Sequence, residues 1–150
     1  MDRPVTSAAR RPAPATPPRV LVVDDQLDVV DLMGHFLEDA GFEVRTTTSC
    51  REAIELATGE ARQIFDVAVI DVDTRDGDGV EVAVALRACD PHRRTRIALH
   101  SVLDESTVRA RFSDYDDFLR KPADVPSLVE RIQRLADAAR TVDRSPGPGR

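Results

Sequence analysis

Four aspartates crowd behind an apolar run in VIDVDTRDGDG, Val69 to Gly79: Asp71, Asp73, Asp76 and Asp78. Carboxylates at that density suit two kinds of chemistry. They coordinate a hard cation through oxygen, or one of them is a nucleophile while its neighbours hold the cation. An EF-hand calcium loop wants acidic or amide side chains at its first, third and fifth positions, Gly at the sixth and Glu at the twelfth. Counted from Asp71, the fifth is Arg75, the sixth Asp76 and the twelfth Val82, so the stretch fails as such a loop. Asp73, Asp76 and Asp78 then read as solvated loop residues, and the chemistry depends on what else the chain brings to Asp71.

The elements that position these groups follow from hydrophobic patterning. Short apolar runs alternate with longer amphipathic segments, the pattern of βα units around a parallel sheet. VLVV (Val20 to Val23) and VAVI (Val67 to Ile70) are continuously apolar, as strands covered on both faces must be, and FEVRT (Phe42 to Thr46) has the mixed pattern of an edge. RIALH (Arg96 to His100) and DFLR (Asp117 to Arg120) complete five. Val29, Val30, Met33, Phe36, Leu37 and Ala40 recur at helical spacing and stop at Gly41. Ser49 and Glu52 form a capping box for a second helix that closes near Gly59. Val80, Ala83, Val84 and Leu86 mark a third helix, and Val108 with Phe112 a weaker fourth. Asp124 caps a fifth, with Pro126 in its first turn and a stripe of Leu128, Val129, Ile132, Leu135, Ala136 and Ala139. The result is a five-unit α/β sandwich in one domain.

Ligands of an open parallel sheet bind beyond the carboxyl ends of its strands. Strand one ends there in Asp24 and Asp25, strand three in Asp71, strand four in His100 and Ser101, and strand five in Lys121 before Pro122. Phosphoryl transfer gives each a role. Carboxylates from neighbouring strand ends make a site for Mg²⁺, one carboxylate attacks phosphorus to form an acyl phosphate, the lysine neutralises a phosphoryl oxygen, and a hydroxyl or imidazole N–H donates to another.

RVLVVDDQ, VIDVDTRDGDGVEV and DDFLRKP, in that order and at that spacing, resemble the receiver domain of bacterial two-component response regulators over about Arg19 to Arg140. The resemblance implies a CheY-like, flavodoxin-like (βα)5 three-layer sandwich with a parallel five-stranded sheet of order 2-1-3-4-5. It further implies that Asp71 is the phosphoacceptor, that Asp24 and Asp25 with Asp71 and the Asp73 carbonyl hold Mg²⁺, that Lys121 contacts the phosphoryl group, and that Phe118 is the switch aromatic. Partners implied are a histidine kinase or histidine phosphotransfer protein and a downstream protein target, met on the face of the fourth helix, fifth strand and fifth helix. Such a protein assists its own phosphorylation but is not an enzyme. The chain departs from the family in three places. Thr74 and Arg75 replace the usual Met-Pro, while Gly79 falls where a glycine normally does. In strand four, direct alignment sets His100 on the switch hydroxyl position, and a one-residue shift sets Ser101 there. FSDYDD, before strand five, lacks the usual glycine-containing turn.

The bulk of the chain sets the remaining expectations. In 150 residues there are 27 acidic against 21 basic side chains, a net charge of -6, which repels a phosphate backbone and argues against a nucleic-acid partner. No run approaches the roughly 20 apolar residues of a membrane span, and no secretory leader pattern is present, so a cytoplasmic location is expected. Cys50 and Cys89 have no metal-finger spacing and read as small core or helix-surface residues. His35 reads as a helix-surface residue, His92 as a loop residue, and Arg93, Arg94 and Arg96 as a solvated charged loop. The Pro/Ala/Arg-rich arm, residues 1–18, and the tail, 141–150, are expected to be disordered, leaving a receiver domain at 19–140. The expected function is a stand-alone response regulator that signals by phosphorylation-dependent contact. The alternative is a degenerate receiver that binds a partner without phosphorylation. A small hydrolase or nucleotide-binding protein lacks its motifs, since there is no GxSxG elbow and no glycine-rich phosphate loop.

Overall fold

The computed structural model describes residues 16–75 and 77–144, the side chains of 141–144 excepted. Most of the expected arm, Asp76 and the end of the expected tail therefore lie outside the described residues. Five parallel strands, β1 (Arg19–Val23), β2 (Glu43–Thr47), β3 (Val67–Asp71), β6 (Arg96–Ser101) and β7 (Asp117–Arg120), form one sheet in the order β2-β1-β3-β6-β7. Counted by sheet strands alone this is 2-1-3-4-5, the expected flavodoxin-like order. Between β3 and the third helix lies a feature the sequence reading missed, an antiparallel pair of two-residue strands, β4 (Asp73–Thr74) and β5 (Gly77–Asp78).

Helices α1 (Leu27–Asp39), α2 (Cys50–Thr58), α3 (Gly79–Ala88), α4 (Glu105–Arg109) and α5 (Val125–Arg144) cover the sheet. Strand side chains alternate between its two faces. Leu21, Val23, Ala68, Ile70, Ile97 and Leu99 pack with Ala53, Ala83 and Val108 on the side of α2, α3 and α4. Val20, Val22, Val67, Val69 and Ala98 pack with Met33, Leu37, Leu128 and Ile132 on the side of α1 and α5. The four side chains of Val20–Val23 are essentially inaccessible, each worth about 1.5–3 kcal/mol of burial. A sheet filled on both faces holds its strand ends rigidly, which is what a site built on those ends needs.

The helix ends carry the expected caps, with one change of partner. Ser49 Oγ accepts from the Glu52 N–H at 3.1 Å, but Glu52 does not reach back to Ser49. Its carboxylate takes the Thr47 hydroxyl, whose oxygen in turn accepts from the Ser49 N–H at 3.0 Å. Asp124 caps α5 by accepting from Ser127 N–H at 3.0 Å, and Gly41 follows α1 at φ 99°, a left-handed conformation that suits glycine. α5 continues to Arg144, past the expected limit of Arg140. Pro18, placed in the arm, joins the fold, since its carbonyl accepts from Glu43 N–H at 2.9 Å.

Two helix faces differ from expectation. Phe36 is exposed beside Leu27 and Leu32 on α1, and on α3 Val82 is buried while Val84 is out. The turn before β7 needs no glycine because Asp116 organises it. Its carboxylate accepts from Ile97 N–H at 2.8 Å and from Arg87 at 2.7 Å, while the Arg87 guanidinium also donates to the carbonyls of Thr95 and Asp114.

Candidate functional site

Each acidic group is delivered by a strand end. Asp24 follows β1, where its backbone N–H donates to Thr47 O at 3.2 Å and its Oδ1 accepts from Gln26 N–H at 3.0 Å. Asp71 closes β3, one residue beyond the Val23–Ile70 pairing. Asp24 and Asp71 are both buried, and Asp25 is partly exposed. One carboxylate oxygen from each of Asp24, Asp25 and Asp71 lies within 4.8 Å of the others. Lys121, directly after β7, places Nζ 2.8 Å from Asp24 Oδ2 and 3.5 Å from Asp71 Oδ2. Its backbone N–H donates to Ser101 O at 2.7 Å, and the Lys121–Pro122 peptide bond is cis.

The electrostatics favour a cation. Burial, with the Asp24 and Asp25 charges adding to it, pushes Asp71 up to about 6, against the pull of the Lys121 ammonium and the Asp73 N–H. Three carboxylates facing one ammonium leave two negative charges, and the donors are all hard oxygens. That set fits Mg²⁺, which takes a few carboxylates and completes its shell with water or phosphate oxygens.

β6 sets His100 opposite Asp71 in the parallel ladder. Its side chain is buried, and Nε2 has no hydrogen-bond partner among the described residues. Burial first, then the Lys121 charge, pushes its pKa down to about 4, so it is a neutral imidazole at pH 7. Ser101 is also buried, and its hydroxyl accepts from Leu103 N–H at 2.9 Å, turning the chain into the loop before α4. Phe118 is half-buried against the α2/α3/α4 core, its ring 6.1 Å from that of Tyr115.

The loop after β3 is more structured than a solvated one. Asp78 is the N-cap of α3, accepting from Val80 N–H at 2.9 Å, and it also pairs with Arg111. Arg111 reaches Asp73 as well, at 3.6 Å. The reading of Asp78 as a solvated residue is thus corrected, and the half-exposed Asp73 has an ionic partner. Gly79 begins α3 so close to the strand that a Cβ there would lie 2.0 Å from Asp71 O. Arg75 stands where the family usually carries proline. Its backbone N–H donates to Asp25 Oδ2 at 2.9 Å and its Nε lies 3.7 Å from the same oxygen. The available signal was that an N–H exists where proline has none; nothing in the spacing pointed to Arg111. His35 is exposed, 3.6 Å from Asp39, and His92 is an exposed loop residue. The arginine loop is partly organised, with Arg93 paired to Asp114 and Arg96 to Asp116. No described helix is long and apolar enough to cross a membrane.

Comparison with known proteins agrees with this geometry. The model of the response regulator receiver domain family matches residues 20–133. The transcriptional regulatory protein PrrA of Mycobacterium tuberculosis is 38% identical over 120 residues, covering 80% of this chain and 50% of its own length. The response regulator SaeR of Staphylococcus aureus is 28% identical over 116 residues, covering 77% and 49%. The chain thus spans about half the length of these curated relatives. Among solved structures, the chemotaxis response regulator CheY4 of Vibrio cholerae is 29% identical with a TM-score of 0.70, covering 80% of this chain and 99% of that one. A receiver domain protein from Methanospirillum hungatei, at 22% identity and a TM-score of 0.72, shares the fold, covering 84% and 98%.

Proposed function

The chain belongs to the response regulator receiver domain family, and from that premise we propose that it accepts a phosphoryl group on Asp71 from a histidine kinase or histidine phosphotransfer protein. One observation carries the reading: Lys121 Nζ lies 2.8 Å from Asp24 and 3.5 Å from Asp71, which sets a cation against two buried carboxylates at adjacent strand ends. An Asp71 carboxylate oxygen forms a bond to phosphorus as the donor's P–N bond breaks, and the electron pair leaves with the donor imidazole. Lys121 neutralises one phosphoryl oxygen. His100, neutral and with Nε2 unpartnered among the described residues, takes the place of the switch hydroxyl, and Ser101 serves the loop turn. Asp24, Asp25, Asp71 and the Asp73 carbonyl would hold Mg²⁺, which supplies charge neutralisation between nucleophile and phosphoryl oxygens. Phe118 is the switch aromatic.

On phosphorylation the protein communicates by contact with another protein through α4, β7 and α5, in the cytoplasm, and this chain does not itself bind nucleic acid. A net charge of -6 supports the last point. It acts as a signalling protein, turning over no substrate.

Intact mass after incubation with acetyl phosphate tests the reading. A gain of one phosphoryl group that requires Mg²⁺ and disappears in Asp71→Asn is expected; a gain that survives in Asp71→Asn refutes it. A second reading, a receiver that binds its partner without being phosphorylated, is favoured by the Arg75 contact on Asp25. It predicts no mass gain in the folded protein and partner binding unchanged by Asp71→Asn.

A further inference from the structure

The acceptor loop carries its own cation to the acidic site. Arg75 approaches Asp25 Oδ2 twice, through its main-chain N–H at 2.9 Å and through its guanidinium Nε at 3.7 Å. Asp25 is one of the three carboxylates that converge, and its side chain retains 15% exposure, whereas that of Arg75 retains 89%. The contact therefore lies on the solvent side of the cluster, where a cation enters.

Arg75 is held there by a built turn. β4 and β5 pair on either side of it, Thr74 Oγ1 donates to Gly77 O at 2.8 Å, and Arg111 anchors the hairpin through Asp73 and Asp78. Gly77 closes the turn against Cys50, whose Cβ would lie 3.3 Å from a Cβ at that position. The hairpin thus sets the Arg75 N–H on Asp25 by backbone geometry, independently of where the long side chain goes.

We propose that Arg75 is a positioning residue that competes with the divalent cation for Asp25 and so sets the site's cation affinity. The inference rests on the cation site proposed above. A carboxylate oxygen that accepts an N–H and faces a guanidinium has less lone-pair density to offer a metal, and a cation must displace or share these contacts to use it. The guanidinium is exposed, so its share is that of a surface ion pair, about three-fold in affinity. The N–H donates to a charged acceptor, a stronger interaction, and its share is on the order of ten-fold.

The test is isothermal titration of the full chain with Mg²⁺ in the parent, Arg75→Ala and Arg75→Pro, each shown to be folded by circular dichroism. Arg75→Ala removes the guanidinium and keeps the N–H; Arg75→Pro removes both. Affinity is expected to rise about three-fold in Arg75→Ala and by on the order of ten-fold more in Arg75→Pro. The two variants carry the same charge, so a difference between them reports the N–H contact and not the general field around the site. A second readout is amide hydrogen exchange at Arg75 in the parent, expected to quicken when Mg²⁺ saturates the site. Binding by the parent with equal affinity in both variants and unchanged exchange overturns the role of Arg75 alone. No Mg²⁺ binding by the parent overturns the cation site, and this inference with it.

Discussion

Asp71 is a group placed where its charge is expensive. Its pKa stands at about 6 against an ordinary 3.8, chiefly because it is buried. The raised folded-state value means that the native state holds more protons than the unfolded chain between these limits. The stability associated with the protonated carboxyl is present below about pH 4 and is lost as pH rises through about 6. At pH 7 without a divalent cation, the ionised group costs on the order of 3 kcal/mol. Asp71→Asn should therefore raise the melting temperature of the metal-free protein at pH 7, with the advantage shrinking towards pH 4. A constant difference across that range would show that the carboxyl is not strained by its site. His100 works with the opposite sign, its pKa lowered from 6.5 to about 4. Its neutral form is fully stabilising above 6.5, and that contribution is lost as pH falls through 4. Relative to His100→Thr, the parent should lose stability progressively between those values, a difference measurable by urea denaturation at stepped pH, because the Asp71 contribution is common to both proteins. Asp24 and Asp71 were legible in the sequence because each ends an apolar run, and Lys121 because it closes the short strand DFLR before Pro122. Arg75 was not, since its main contact is made by a backbone N–H that any residue but proline provides.

At the scale of elements, the apolar strands were the most legible feature, because a strand covered on both faces needs an unbroken run. Helix rotation was less so. Spacing identified α3 but set Val84 on its apolar stripe, whereas packing against β3 and α2 buries Val82 and leaves Val84 exposed. Short-range polar geometry was least legible. The β4–β5 hairpin comprises four strand residues, too few to show a period, and the Asp116 turn replaces a glycine by hydrogen bonds that join residues distant in sequence. Gly79→Ala should destabilise the fold by about 3 kcal/mol or more, since its Cβ would meet backbone at 2.0 Å, where no rotamer change gives relief. Arg87→Ala should cost about 2 kcal/mol, since Asp116 keeps Arg96 and the Ile97 N–H but loses its shorter ion pair, and the Thr95 and Asp114 carbonyls lose their donor. Chemical denaturation of each variant reads both, and a loss below about 1 kcal/mol in either would remove that contact from the account.

At the scale of the molecule, a rigid sheet delivers three carboxylates and a lysine to one edge from strand ends far apart in the chain. Folding therefore assembles a charge imbalance that a divalent cation relieves, and Mg²⁺ should stabilise the protein by mass action, by about 2.7 kcal/mol at a hundredfold excess over Kd. A thermal shift with Mg²⁺ that is lost in Asp24→Asn is expected; an equal shift in both proteins would move the cation elsewhere.

The central claim is that Asp71 is the acceptor, and the most direct measurement is chemical trapping of the acyl phosphate. After treatment with acetyl phosphate and Mg²⁺, borohydride reduces an aspartyl phosphate to the alcohol, and trypsin then releases residues 63–75. That peptide contains Asp66, Asp71 and Asp73, so fragment masses distinguish the acceptor from its neighbours. Reduction confined to Asp71 is the result the account predicts. Reduction at Asp73 or Asp66, with Asp71 intact, would contradict it.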